Sequence, residues 1–379
     1  MKFIKVKDLF KIKKGKKVIE VDEIGPIRYI QIDDLRNNNN IKYCNNENKY
    51  VYSEVDDIII AWDGANAGTI GYGLKGAIGS TLAVLSKKNK NFDTEFCGLF
   101  LKSKFNYLRD KCTGATIPHI SRTSLEELEV PNMPIITQKR IVKILDKSQE
   151  LINKRKEQIE ALDELVKSKF IEMFGDIVLN PKGWETVKLG KISSVGSSKR
   201  VFVDELVNEG IPFYRGTEIG ALSTGENIEP TLFITKEHYE KLKESTGVPL
   251  IGDLLMPSIC PDGRIWSVDT EKPFYFKDGR VLWIHLENSI VDSLFLKNML
   301  REKFNRDYNK IASGTTFAEL KIFALKDLDI IIPPIEIQKQ YSDFVKQVDK
   351  LKFEMEKSLK ELEDNFNSLM QRAFNGELF

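Results

Sequence analysis

The sequence predicts an α+β protein. It should hold two tandem mixed α/β domains, each followed by a long α-helix, with the two helices pairing as an antiparallel coiled coil. Three observations lead there: one stretch occurs twice, the apolar spacing changes after each copy, and the segments before the copies are alike in composition. The stretch 114–140, GATIPHISRTSLEELEVPNMPIITQKR, lies over 314–340, GTTFAELKIFALKDLDIIIPPIEIQKQ, without a gap. Eight of the 27 positions are identical: Gly114/Gly314, Thr116/Thr316, Leu125/Leu325, Leu128/Leu328, Pro134/Pro334, Ile135/Ile335, Gln138/Gln338 and Lys139/Lys339. Chance gives roughly one or two, and a period this long is a domain plus an attachment rather than a solenoid.

The segments 1–133 and 176–332 carry short apolar runs, IRYIQI, DDIIIAW and STLAVL in one, PFYRG, GDLLMPS and RVLWIHL in the other. Clusters of Gly, Asn, Asp and Pro separate them, the pattern of strands and turns. Glu95–Leu108 and Ile290–Phe304 read as shorter helices at equivalent places, each followed by Gly-x-Thr. The asparagine run 37–40 reads as a loop, and Gly64, Gly68 and Gly263 fit strand-to-strand turns.

Segments 134–175 and 333–379 change to helical spacing. The first stripe is Ile141, Leu145, Ser148, Ile152, Arg155, Ile159, Leu162, Val166; the second is Phe344, Val348, Leu351, Met355, Ser358, Leu362, Asn365, Leu369. Both are heptad patterns with some polar seam positions. Pro134 and Pro334 fall in the first turn, where a helix accepts proline. Each helix of about 38 residues is roughly 57 Å long. A helix longer than the domain before it projects, so the two stripes are expected to bury against each other and to hold the domains apart.

Bulk composition sets the outer limits. A chain of 379 residues with 41% hydrophobic content has material for two or three domains. No apolar run is long enough to span a bilayer, and MKFIKVKDLFKIKKGKK lacks the apolar core of a secretory signal. Cys44, Cys97, Cys112 and Cys260 are scattered, as are His119, His238 and His285, which argues against zinc. A reduced, cytoplasmic protein is expected. Net charge is +1, yet eight lysines crowd the first seventeen residues.

Several stretches resemble one family. FGDIVLNPKGWETVKLGKI (174–192), SLMQRAFNGEL (368–378), GPIRYIQIDDL (25–35) with DDIIIAWDGANAGTIGY (56–72), and the looser GIPFYRGTEIG (210–220) with GDLLMPSICPDGRIW (252–266) are similar to parts of the specificity subunit of type I DNA restriction-modification systems. The likeness covers essentially the whole chain. It departs where the family has glutamate before the glutamine: here stand Thr137 and Ile337. The second domain also lacks the Asp-Gly-Ala-Asn stretch of the first.

The resemblance implies target-recognition domains at 1–133 and 176–332, with helices at 134–175 and 333–379. It implies binding to double-stranded DNA, and methyltransferase subunits, two in number, docked on the helices. Motor/endonuclease subunits would join through the complex. S-adenosylmethionine, ATP and Mg²⁺ would then belong to those partners, leaving this chain without cofactor or metal. Two domains related by a pseudo-twofold axis would read a bipartite site, asymmetric because the halves differ, as at His119 against Glu319 and Arg122 against Ile322.

Candidate base readers follow from side-chain chemistry, arginine for guanine and asparagine or glutamine for adenine. In the first domain they are Arg28, Gln31, Asp63, Asn66, Thr116 and Arg122. In the second they are Arg215, Thr217, Asp262, Arg264, Thr316 and Lys321. Lys11, Lys13, Lys14, Lys199 and Arg200 suit phosphates, which position without specifying. No catalytic centre is visible. IIPPIE lacks the flanks of an amino-methyltransferase loop, PDG with VDTEK lacks a nuclease spacing, and there is no P-loop. Two other classes fit the same architecture: an orphan sequence-specific DNA-binding regulator, and a coiled-coil scaffold that binds proteins only.

Overall fold

The computed structural model describes residues 2–22, 24–88, 91–114, 116–287, 290–314 and 318–378. The chain forms two compact units, Met1–Gln158 with Met355–Phe379, and Ile159–Glu354.

In the first unit, strand Lys2–Lys5 pairs antiparallel with Glu129–Asn132, so the entry and exit of the domain lie side by side. A four-stranded antiparallel sheet runs in the order Phe10–Lys14, Leu82–Lys87, Ile58–Ala61, Ile70–Tyr72. Ile58–Ala61 is buried on both faces, which explains its unbroken apolar run. Ile58 and Ile60 share a core with Phe96 and Phe100 of helix Thr94–Ser103. Ile59 and Ala61 face Ile30, Val51 and Ile78 instead. Those three belong to or adjoin a second sheet, Glu20–Val21, Lys42–Cys44, Ile27–Ile30, Gly76–Ile78, Tyr52–Ser53, in which Ile27–Ile30 and Gly76–Ile78 are parallel. The helix expected over Glu95–Leu108 breaks at Lys104, and Phe105–Asp110 forms a separate piece. At the break the Ser103 hydroxyl donates to the Phe100 carbonyl at 2.6 Å, a side-chain bond that competes with helix continuation.

The second unit repeats this plan. Glu185–Lys188 pairs with Asp329–Ile332, and the four-stranded sheet is Ser193–Gly196, Val281–Leu286, Leu254–Pro257, Trp266–Ser267. Ile211–Tyr214 and Tyr275–Phe276 form the parallel pair. Helix Ser293–Ile311 takes the place of Thr94–Ser103. Helices Gly216–Ser223 and Lys236–Thr246 are additions of this unit.

The long helices are Ile135–Phe174, of 40 residues, and Ile335–Asn375, of 41. In each unit they run antiparallel: Lys156 meets Glu363 at 2.8 Å in the first, and Lys352 meets Asp163 at 2.7 Å in the second. Each helix starts on the domain before it and ends in the core of the other unit. Ile141, Val142 and Leu145 pack in the first unit with Ala373 and Phe374 from the far end of the second helix. Phe374 lies 5.5 Å from Phe96 and 5.4 Å from Phe100, ring to ring. The second unit mirrors this, with Phe170 and Phe174 against Phe295 and Tyr341.

This double anchoring corrects the predicted second stripe. Val348 is buried, but Leu351 is 46% exposed and Asn365 faces solvent. Tyr341, Val345, Phe366 and Phe374 carry the burial instead. The helix ends sit in globular cores, and their apolar positions follow those cores rather than one heptad phase.

The repeated glutamine also finds its reason here. Gln138 is fully buried; its Oε1 accepts from the Asp93 N–H at 2.8 Å and its Nε2 donates to the Met133 carbonyl at 2.8 Å. Gln338 does the same, accepting from Asp292 N–H at 2.9 Å and donating to the Ile290 and Pro333 carbonyls at 3.0 and 2.7 Å. Asp93 and Asp292 are the N-caps of the domain helices. One side chain thus ties the start of each long helix to the cap of the helix in its own domain.

Candidate nucleic-acid interface

In the first unit, the loop after Ile58–Ala61 meets the hairpin 113–119. Thr113 and His119 exchange both backbone hydrogen bonds, Ile120 N–H donates to the Trp62 carbonyl at 2.9 Å, and Gly64 N–H donates to Pro118 at 2.9 Å. Gly64 has φ +92° with open space around it, so its conformation alone calls for glycine. On this frame Asp63 holds two partners, His119 Nδ1 at 2.6 Å and Lys14 Nζ at 2.6 Å. Asn66 Oδ1 accepts from Arg36 at 2.7 Å, and Arg109 donates to the Ala65 carbonyl at 2.7 Å.

The structure therefore brings Lys14 and Asp63 together with His119, which the sequence marks only as a difference between the halves, and Asn66 with Arg36, one of two arginines, with Arg109, that the sequence reading passed over. Arg28 lies elsewhere. It pairs with Asp34 at 2.5 Å and Asn38 at 2.8 Å, and the Asp34 carboxylate, 4% exposed, also accepts from the Gln31 N–H. Arg28 and the Gln31 backbone thus shape the turn that precedes the asparagine run. Thr116 is exposed on the hairpin, and Arg122 is exposed with its Nε on Glu126 at 2.7 Å. Lys11 and Lys13 point to solvent from the edge strand Phe10–Lys14.

In the second unit Ser313 and Glu319 exchange the same two backbone hydrogen bonds, and Leu320 N–H donates to the Ser258 carbonyl at 2.7 Å. Glu319 accepts from Ser258 Oγ at 2.9 Å, pairs with Lys321 at 2.5 Å and faces Arg280 at 3.6 Å. Lys321, and then Ser258, hold its carboxyl below the usual carboxylate range. Arg264 pairs with Asp262 at 2.8 Å, and its guanidinium lies over Gly220, where an added Cβ would meet it at 2.9 Å. Arg215 is bound twice to Glu218, at 3.2 and 2.6 Å, beside the exposed Thr217. Lys199 is exposed, and Arg200 pairs with Asp278 at 3.0 Å. Thr316 lies outside the described residues.

Burial pushes the thiols of Cys97 and Cys260 up to about 12. Among the described residues no group of three His, Cys, Asp or Glu is placed to hold a metal, and no helix is long and apolar enough to cross a membrane.

Two similar domains, each presenting a braced cluster of polar side chains on a hairpin and a neighbouring loop, define a tandem recognition protein. Residues 1–161 and 181–364 match the type I restriction modification DNA specificity domain family, and the chain belongs to that family. It is 27% identical over 402 residues to the type I restriction enzyme MjaVIII specificity subunit of Methanocaldococcus jannaschii, covering 99% of this chain and 92% of the relative. Its fold is shared with the S subunit of a type I restriction-modification system from M. genitalium, at 18% identity and TM-score 0.56 over 98% of this chain and 96% of the other. A chain from a structural study of complex assembly and conformational transition of the type I R-M system superposes with TM-score 0.65 at 16% identity, over 100% and 98%.

Proposed function

We propose that the chain reads a bipartite, asymmetric DNA site, one half with each domain, and that it delivers this specificity to enzymatic partners while performing no chemistry itself. Family membership supports the first part: the family's defining property is DNA specificity within type I restriction modification. The observation that carries the asymmetry is the pair of matching backbone bridges, Thr113 with His119 and Ser313 with Glu319, alike in their bonds and unlike in side chains. Residues 1–133 and 176–332 act as the target-recognition domains, and 134–175 and 333–379 as the helices on which two methyltransferase subunits dock. Motor/endonuclease subunits join through that complex. S-adenosylmethionine, ATP and Mg²⁺ are handled by the partners, and the assembly works in the cytoplasm, where the DNA is.

Within this reading the candidate readers have unequal prospects. Asn66, Asp262 and Arg264 are placed on loops with exposed partners, while Arg28 is committed to Asp34 and Asp63 to His119 and Lys14. Lys11, Lys13, Lys14, Lys199 and Arg200 serve the phosphates, a contribution that weakens as salt rises.

The test is expression with the methyltransferase subunit, followed by mapping of methylated sites and a DNA shift at graded salt. A two-part site and a salt-dependent shift are expected, with no methyl transfer by the purified chain alone. Methyl transfer by the chain alone would overturn the non-catalytic assignment, and a continuous palindromic site would overturn the division between domains.

A further inference from the structure

We propose that the hairpin position occupied by His119 in the first domain and Glu319 in the second is a specificity-determining slot, with Asp63 and Ser258 as the positioning residues behind it. The inference rests on the DNA-reading role above. It starts from a fixed frame: in both units the slot residue closes the hairpin through two backbone bonds to residue 113 or 313. The next residue, Ile120 or Leu320, is bonded to the backbone just past the central strand, at Trp62 or Ser258. Gly114 and Gly314, next to those bonded residues, both hold positive φ, +95° and +118°. An added Cβ at Gly114 would meet His119 Cδ2 at 3.0 Å, so this glycine also leaves room for the ring.

On this constant backbone the side-chain chemistry is exchanged. Nδ1 of His119 lies 2.6 Å from the Asp63 carboxylate, which accepts only, so in the neutral form of the ring the proton sits on Nδ1. Lys14 pairs with the second Asp63 oxygen. The ring is 47% exposed on its side-chain surface and offers Nε2 as an acceptor. An acceptor in the major groove selects the exocyclic amino group of adenine or cytosine. Glu319 offers a carboxylate ringed by donors, Ser258, Lys321 and Arg280. A second acceptor with basic neighbours reads a different edge pattern from the same place.

Stability does not account for this arrangement. Ion pairs at exposed surfaces are worth about 0–1 kcal/mol, and the two clusters keep the same anchoring geometry while changing every charged group. A constant frame with exchanged chemistry is what two readers of different sequences need.

The experiment uses the full chain in its methyltransferase complex, with His119→Ala, His119→Gln, Glu319→Ala and Glu319→Gln, and maps methylated sites. His119→Ala should lose discrimination by roughly 5- to 150-fold at one base pair of one half-site, leaving the other half-site unchanged. Glu319→Ala should do the same in the other half-site only. The glutamine variants keep an acceptor and should keep the preferred base, which a purely structural role would not produce. Unchanged preference in both alanine variants overturns the slot, as does a change in the wrong half-site. If an alanine variant abolishes methylation altogether, its glutamine counterpart decides, and loss of the preferred base there counts against the proposal. Absence of any sequence-specific methylation with the native chain would instead remove the DNA-reading role itself.

Discussion

In the first unit a carboxylate on the loop after Ile58–Ala61 grips a histidine on the hairpin; in the second a carboxylate on the hairpin is gripped by a serine after Leu254–Pro257. The strands that carry these groups pair in the same order in both units. What surrounds them does not match: the first unit builds a five-stranded sheet where the second has three strands and two added helices. The comparison shows where the chain tolerates variety. The parts that seat a domain on the helices are kept, namely the outer strand pair, the capped helix and the buried glutamine, while the loops and the second sheet are free to differ.

The largest expected effect breaks the symmetry of anchoring. Phe374→Ala should cost about 3–5 kcal/mol, as for other buried aromatic truncations, and hydrogen exchange should rise in the first unit while the second stays protected. Phe174→Ala should do the reverse. If Phe374→Ala loosened the second unit, the assignment of that helix end would be wrong.

Next come the paired glutamines. Gln138→Leu strips partners from the Asp93 N–H and the Met133 carbonyl, at roughly 1–3 kcal/mol for each buried group left unsatisfied. Gln338→Leu should lower stability similarly, and denaturant unfolding of the two variants side by side measures whether the clamps are equivalent.

Arg264→Ala sharpens the difference between the loops. If this arginine contacts guanine bidentately, about 1–3 kcal/mol of discrimination disappears at one position of the half-site read by the second domain. Methylation mapping should show the other half-site intact. Relaxation in both halves, or in neither, counts against Arg264 as a reader.

The smallest effect concerns the charges beside the outer strand pairs, one acid between two lysines in the first unit and one lysine between two acids in the second. In the first unit Glu127 is hydrogen-bonded by Lys5 and Lys7, which push its carboxyl from 4.5 down to about 2. Its contribution is present above pH 4.5 and is lost as pH falls towards 2. In the second unit Asp329, and then Asp327, raise Lys188 above 10.5, so its contribution holds below that pH and fades as pH climbs through the raised value. Glu127→Gln should flatten only the acid limb of the stability profile, and Lys188→Gln only the alkaline one. These groups are solvated, and both shifts should be small.

Much of this architecture was legible because repeats and periodicity report backbone organisation. Gly114 with Gly314, and Gln138 with Gln338, marked equivalent places long before their contacts were known. The glutamine's role was not legible, since its three partners come from a loop 45 residues away and from the turn before it. The phase of the second stripe was misread because Phe366 and Phe374 answer to a core formed by residues far upstream. Arg28 matched the chemistry of a base reader, yet Asp34 claims it; a carboxylate six residues away is visible in the sequence, but its burial is not. His119 was noted only as a difference between halves, because its importance lies in what Asp63 does to it.

The division of the chain has a consequence in time. The second unit is one continuous stretch, Ile159–Glu354, whereas the first needs Met355–Phe379 to fill its core. A ribosome makes the first domain earliest, at about 5–20 residues per second, yet the seat for Ala373 and Phe374 stays empty until the final helix emerges. The later-made unit can close first, and the earlier one waits, its apolar surface around Phe96 and Phe100 open to solvent. Synthesis and completion thus run in opposite orders along this chain, and the last helix acts as the key that finishes the first domain.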